Sequence, residues 1–113
     1  MIMWEFKTAQ FRVVWSIYEC VNLDLSWVEN SRSIRASIDD GTYTAFDSKV
    51  TVYHDNKEIG SDTLGQSIYE NPADFRDHIG AQGKHGSYFT DMITIAIKAA
   101  RQNMRQARPY IRE

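Results

Sequence analysis

Alternation of apolar and polar residues predicts the strands of this chain, because successive side chains of a β-strand point to opposite faces of the sheet. The clearest alternation runs from Phe11 to Tyr18, and Trp4–Phe6 is a candidate for a short strand that pairs with it. Tyr43–His54 and Glu58–Tyr69 are the next two strands. The segment Asp55–Lys57 between them predicts a hairpin turn, since Asp and Asn tolerate left-handed backbone at little steric cost.

The two strands of the predicted hairpin also indicate where the strand is irregular and which residues share a face. Gly60 and Gly65 interrupt the second strand, which indicates bulges or a close approach of another backbone. In the first strand the apolar and polar residues take opposite faces: Phe46, Val50 and Val52 on one, and Asp47, Lys49 and Thr51 on the other.

A helical spacing of apolar residues predicts a short first helix before the hairpin. Its start has several candidates, namely the capping box Ser26–Glu29 and the later caps Asn30 and Ser31. Gly41 supplies a stop signal, so the helix is expected to end near Asp39. The helical face consists of Trp27, Ser31, Ile34 and Ile38.

Two more helices are predicted after the hairpin. Asn71–Asp74 is a helix start, because Asn caps, Pro suits the first helical position, and Asp complements the helix dipole. Gly80 ends that helix after about two turns, and residues 81–86 form a connector. The final helix begins near Ser87 and is expected to weaken before Pro109, because the residue preceding a proline avoids helical backbone.

The order of these elements predicts an α+β fold, with one domain spanning residues 1–113. We expect an antiparallel sheet of three to four strands with helices packed on one face, which is a two-layer sandwich. A chain of this length has material for one hydrophobic core.

The final helix carries two stripes at helical spacing. The apolar stripe consists of Phe89, Met92, Ile93, Ala96, Ile97, Ala100 and Met104. The basic stripe consists of Lys98, Arg101, Arg105, Arg108 and Arg112. The basic stripe has two interpretations: a surface for an acidic partner or phosphates, or cations that offset the helix dipole. Pro109 is expected to disturb the geometry beyond Arg105, so that three cations align rather than five.

The charge distribution sharpens the contrast between the body and its last helix. The formal net charge is −2, yet residues 1–97 hold 8 basic and 14 acidic groups whereas residues 98–113 hold 5 basic and 1 acidic. A globally basic nucleic-acid binder would not show this pattern. The body therefore offers a second candidate surface that would compete for a basic nucleic-acid groove: Asp39, Asp40, Asp47, Asp55, Glu58 and Asp62.

Candidate catalytic and metal-binding residues are few. Asp74, Asp77 and His78 lie within about one helical turn, with His85 beyond them, and that spacing permits a metal site or an acid–base pair. No third strong ligand is evident, so a polar helix face is the expected interpretation. We predict no catalytic residues, no metal and no cofactor.

The cysteine, apolar and aromatic content indicates the cellular compartment and the kind of contact to expect. Cys20 is the single cysteine, so no intrachain disulfide can form and a reducing compartment is expected. The apolar runs are too short to cross a membrane, which favours a soluble protein of the cytoplasm. Three tryptophans and six tyrosines exceed what a small core needs, and partly exposed aromatic residues often anchor protein interfaces.

Four phrases of the sequence together resemble a family of small hypothetical proteins of bacteriophages, plasmids and integrative elements. They are Asp24–Trp27, Glu58–Asp62, Ile68–Phe75 and Gly86–Met92. The resemblance spans nearly the whole chain. It implies an anti-defence context, of which anti-CRISPR proteins are an example, with stoichiometric binding to a host complex.

The expected function is therefore that of a non-enzymatic interaction protein. Its expected partner is a host protein or ribonucleoprotein defence complex, met in the host cytoplasm by a monomer or homodimer without membrane contact. The alternative is a small nucleic-acid-binding or regulatory module that uses the basic helix. A small enzyme built on Asp74, Asp77, His78 or His85 is a third hypothesis.

Overall fold

The computed structural model of the chain describes residues 1–20, 23–26, 29–77 and 87–111. These residues form a four-stranded antiparallel sheet and three helices, which confirms the predicted α+β fold. The elements are β1 (Ile2–Lys7), β2 (Phe11–Glu19), α1 (Ser31–Asp39), β3 (Thr44–His54), β4 (Lys57–Tyr69), α2 (Asp74–Asp77) and α3 (Ser87–Ile111). The strand order is β1-β2-β3-β4, so each strand pairs with its neighbour in sequence.

The sheet carries its main apolar cluster on the face that α3 covers, while Val14 and Thr51 form a buried pair on the other face. In the β2–β3 register Trp15 lies opposite Val50 and Val13 opposite Val52, so all four side chains point to the same layer. The two faces predicted for β3 are therefore confirmed. The buried cluster between sheet and helices consists of Val13, Trp15, Phe46, Val50, Val52, Phe75, Met92, Ala96 and Ala100.

The β3–β4 hairpin closes through two residues rather than three. Asp55 and Asn56 have φ angles of 50° and 67°, as a tight hairpin turn with two left-handed residues requires. Lys57 was predicted to belong to the turn, but it already pairs with His54 in the ladder. Two left-handed residues complete the reversal, so no third turn residue is needed.

Both glycines of β4 mark irregular positions, as predicted. At Gly60 the backbone of α3 approaches so closely that a Cβ there would lie 2.6 Å from the carbonyl oxygen of Ala96. Gly65 lies in the second irregular stretch, where the register shifts between Phe46 and Ser48. The following residue, Gln66, takes a left-handed φ of 49°.

The first helix starts at the later of its candidate positions. The Asp24 carboxylate accepts a 2.9 Å hydrogen bond from the Ser26 backbone N–H, so Ser26 belongs to a local turn and does not cap α1. Asn30 holds the cap position with a left-handed φ of 59° and no side-chain hydrogen bond. The predicted end at Asp39 is confirmed, and Gly41 follows with a φ of 87°. The face residue Trp27 lies outside the described residues.

The second and third helices differ from the predictions at their ends. Asn71 accepts a 3.0 Å hydrogen bond from the Ala73 N–H before α2, as expected of a helix start. The described part of α2 is a single turn, and the predicted end at Gly80 and the connector 81–86 lie outside the described residues. The backbone of α3 continues through Pro109 to Ile111, so the expected weakening before Pro109 is wrong. A proline in the last turn removes a single helical hydrogen bond, and the turn retains its helical backbone.

Candidate partner-binding surfaces

The position of α3 is fixed by aromatic and small-residue contacts along its buried face. Phe89 packs edge-on against Trp4 and Trp15, with ring centroids 5.3 and 5.4 Å apart. Seven residues later, Ala96 and then Ala100 lie against Gly60 of β4. The helix therefore starts over the β1–β2 side of the sheet and crosses to β4.

Beyond Ala100 the helix reaches the edge of the sheet, where the Asn103 side-chain amide donates a 2.5 Å hydrogen bond to the Ile59 carbonyl oxygen of β4. Residues 101–105 are all exposed, although a helix resting on a sheet would bury some residue in every turn. The backbone remains helical to Ile111, so the segment past Asn103 is about 12 Å long at 1.5 Å per residue. We call residues 104–111 the overhang.

The described cations of the basic stripe share the outward side of α3. Lys98, Arg101 and Arg105 are exposed, and at 100° per residue they lie within about 60° of one another around the helix axis. Met92 and Ala100, which are buried, lie on the opposite side of the helix. Among the described residues none of the three cations forms a salt bridge. Their charge is therefore directed to solvent.

The structure describes one of the two remaining cations of the basic stripe, and only by its backbone. Arg108 belongs to the helical backbone of the overhang, and Arg112 lies outside the described residues. The continuation of the helix through Pro109 overturns the reason given for excluding Arg108 from the stripe, since its backbone keeps the helical spacing from Arg105.

The acidic residues predicted as a second surface are not brought together. Asp39 and Asp40 follow one another at the end of α1, whereas Asp55 lies in the β3–β4 turn at the other end of β3. Asp40 is already engaged, because it accepts hydrogen bonds from the Thr42 N–H at 2.9 Å and from the Thr42 hydroxyl at 2.6 Å. These bonds, first the hydroxyl and then the backbone one, hold the pKa of the Asp40 carboxyl below its usual value.

The acidic residues of the strands lie on different faces of the sheet. Glu58 pairs with Tyr53 on the face that α3 leaves open, and its carboxylate is 3.2 Å from the Lys49 ammonium group. Asp62 pairs with Val50, which points into the helix-covered layer. Asp47 accepts a 2.8 Å hydrogen bond from the Gln66 N–H and is half-buried. The sheet therefore offers no single acidic patch made of these residues.

The face of the sheet that α3 does not cover carries a charged network that the sequence patterns did not single out. The Arg12 guanidinium carbon lies 4.7 Å from the centre of the Tyr53 ring, and its Nε is 3.6 Å from a Glu5 carboxylate oxygen. Lys7 approaches the same carboxyl group at 3.1 Å. The sequence did hold one indication of this network: Arg12 lies between the apolar residues Phe11 and Val13, so its side chain is expected on the face opposite theirs.

The candidate catalytic cluster is not assembled by the described residues. Asp74 opens α2 and is exposed, while His78 and His85 lie outside the described residues. Within the described part of the chain, no group of three or more His, Cys, Asp and Glu side chains is arranged to hold a metal ion. In the same part, no helix is long and apolar enough to span a membrane.

The chain has no match among protein-family models, curated proteins or solved structures. The functional argument therefore depends on the geometry of α3 and of the sheet.

Proposed function

We propose that the protein is a non-enzymatic interaction protein that docks the basic face of α3 onto an anionic surface of a host protein or ribonucleoprotein complex. One observation carries the proposal: Lys98, Arg101 and Arg105 form no ion pair with any described residue, and they project from a helix that extends past the sheet. Unpaired cations on a rigid helix bind anionic groups without first breaking internal salt bridges.

The sequence resemblance to proteins of mobile elements supports a particular setting for this contact. In that setting the protein acts in the host cytoplasm as an anti-defence factor of the anti-CRISPR type, and it inhibits by occupying a surface. The basic face of α3 suits such a role because it presents three cations on one side of the helix, over about 10 Å from residue 98 to residue 105.

The test is charge reversal with a matched control. The variant Lys98→Glu/Arg101→Glu/Arg105→Glu should lose capture of the host complex from a lysate of the native host, read by mass spectrometry, while its circular dichroism stays unchanged. Arg32→Glu/Arg35→Glu changes exposed arginines on α1 and should retain capture. Undiminished capture by the α3 variant would contradict the proposal.

A nucleic-acid-binding module is the second candidate, and the same three cations favour it. Fluorescence anisotropy with a free single-stranded RNA, measured across a salt series, separates the two. Three phosphate contacts would give a slope of log affinity against log salt of about −2 on a single strand. Weak, salt-independent binding of free RNA together with capture of a protein complex would favour the first candidate.

A further inference from the structure

The outer edge of β1 combines unpaired backbone with exposed apolar side chains. In the part of the chain that the structure describes, β1 pairs with β2 on one side and no strand pairs with its other side. Met1, Ile2 and Phe6 are 76%, 57% and 54% exposed. An open strand edge of this kind is a template for another strand.

The hydrogen bonds between β1 and β2 show which residues of β1 have backbone groups free to pair with another strand. The Thr8 N–H donates to the Phe11 carbonyl oxygen at 2.8 Å, and Phe6 lies opposite Val13 in the same register. Because antiparallel partners alternate between bonded and non-bonded pairs, Phe6 and Thr8 direct their backbone groups to β2. Glu5 and Lys7 therefore direct their N–H and C=O groups outward.

The side chains along this edge are self-complementary. Glu5 and Lys7 point to the face that α3 does not cover, and Phe6 points to the face that α3 covers, where its ring stacks with Trp4 at 6.4 Å. If two copies pair with Phe6 opposite Phe6, each Glu5 lies opposite a Lys7. A pairing centred on Glu5 places two carboxylates opposite one another, and one centred on Lys7 places two ammonium groups opposite one another. Like charges in that position are destabilising.

We propose that the protein forms a symmetric homodimer through antiparallel pairing of β1 with β1 of a second copy, centred on Phe6. The Phe6 pair occupies a non-hydrogen-bonded position, where cross-strand side chains are closest. Glu5 of each copy exchanges backbone hydrogen bonds with Lys7 of the other. The charges of Glu5 and Lys7 disfavour pairing with unrelated strands. They favour pairing with β1 of a second copy in the register centred on Phe6.

The dimer has a defined architecture. The two sheets join into one eight-stranded antiparallel sheet with both α3 helices on the same face. Each α3 begins over the β1–β2 side, near the seam, and leaves its sheet over β4. The two basic overhangs therefore project from opposite ends of a sheet about 34 Å wide, given strand spacings of about 4.8 Å.

The dimer is tested by sedimentation velocity between about 10 μM and 1 mM, since a short strand-to-strand contact lies at the weak end of interfaces. The wild-type protein should shift from monomer to dimer across this range. Glu5→Lys and Lys7→Glu should each remain monomeric, because each variant places like charges opposite one another. An equimolar mixture of the two variants should dimerise, because every opposed pair is then Lys with Glu.

Two results would overturn the dimer: a wild-type protein that stays monomeric throughout, or single variants that dimerise as strongly as the wild type. Amide hydrogen exchange on the wild type keeps the test decisive if the variants fail to fold. Protection of the Glu5 and Lys7 amides should increase with protein concentration, while the Phe6 amide is protected at every concentration. Fast exchange at Glu5 and Lys7 at the highest concentration would also refute the pairing.

Discussion

The backbone of Ala100 fills the space where a side chain at Gly60 would lie: a Cβ at Gly60 would be 2.6 Å from the Ala100 nitrogen and 2.9 Å from its Cα. Both contacts are with helical backbone, which cannot rotate away as a flexible side chain would. The absence of a side chain at residue 60 therefore sets how closely α3 packs on β4.

Gly60→Ala should destabilise the fold, because the added methyl group forces α3 away from the sheet. We expect the free energy of unfolding in urea to fall by about 1–3 kcal/mol, as for other overpacked cores. Gly65→Ala is the matched control in the same strand, since the nearest atom to its Cβ would be 3.7 Å away. Equal losses for the two variants would contradict this account of the helix packing.

Gln66 holds the segment before α1 against β4, and its backbone conformation separates two contributions to stability. Its side-chain amide donates to the Asp24 carbonyl oxygen and accepts a 2.8 Å hydrogen bond from the Asp24 N–H. Gln66→Ala and Gln66→Gly both lose these bonds, but only glycine relieves the left-handed φ of 49°. Gln66→Gly should be more stable than Gln66→Ala by about 1 kcal/mol in urea unfolding. The reverse order would show that residue 66 leaves the left-handed region once the amide is removed.

Ser48 provides a hydrogen bond inside the core. The Trp15 indole N–H donates to the Ser48 hydroxyl at 3.2 Å, and the two residues are 1% and 2% exposed. Ser48→Ala leaves the buried indole N–H without this partner, so the free energy of unfolding should fall by about 1–3 kcal/mol. Ser16→Ala, at a half-buried serine of β2, should change it much less. A neutral Ser48→Ala would indicate that water reaches the indole.

The hydrogen bonds to the Asp40 carboxylate should make the stability of the fold depend on pH in the acid range. Its hydrogen bonds from Thr42 lower the carboxyl pKa in the folded state, so the charged form adds stability above the ordinary Asp pKa of about 3.9. That contribution is lost as the pH falls through the lower, folded-state pKa. Asp40→Asn should therefore be less stable than the wild type at neutral pH and indistinguishable from it at the acid end of a pH series. Asp39→Asn, at an exposed neighbour, is the control and should cost less stability at neutral pH than Asp40→Asn.

The exposed cations of α3 should contribute to binding but not to folding. Lys98, Arg101 and Arg105 have no salt bridge among the described residues, so replacing each with Ala should alter the free energy of unfolding by less than about 0.5 kcal/mol per site. Binding of the captured complex should weaken with each replacement and with added salt. A large loss of thermal stability would instead assign these residues a structural role.

Local patterns predicted the strands well because the residues of the central strands that pack under α3 recur at two-residue spacing. Trp15 and Val50 follow the two-residue period, and Asp55 and Asn56 carry the turn chemistry within the sequence itself. The start of α1 was left open by the sequence because Ser26, Asn30 and Ser31 are all acceptable caps locally. The Asp24 carboxylate resolves the choice by binding the Ser26 N–H.

The candidate surfaces were harder to predict, because a bulge changes which face a residue takes. Glu58 and Asp62 are four residues apart and would share a face in a regular strand. The register shift between Val52 and Tyr53 places them on opposite faces. Gly60 indicated an irregularity at this point, but not which residues would change face. The exposure of residues 101–105 was equally hidden, since the apolar spacing of α3 continues through Met104 although the sheet ends at β4.

The late position of α3 in the chain has a consequence for biosynthesis. The ribosome delivers all four strands before the helix that covers them, and the meander allows each strand to pair with its predecessor as it emerges. Until α3 is released and reaches Gly60, the nascent sheet displays Trp15, Val50 and Val52 to solvent and to other chains. Slow translation of the segment after Tyr69 should therefore increase aggregation, and rapid completion of the helix should suppress it.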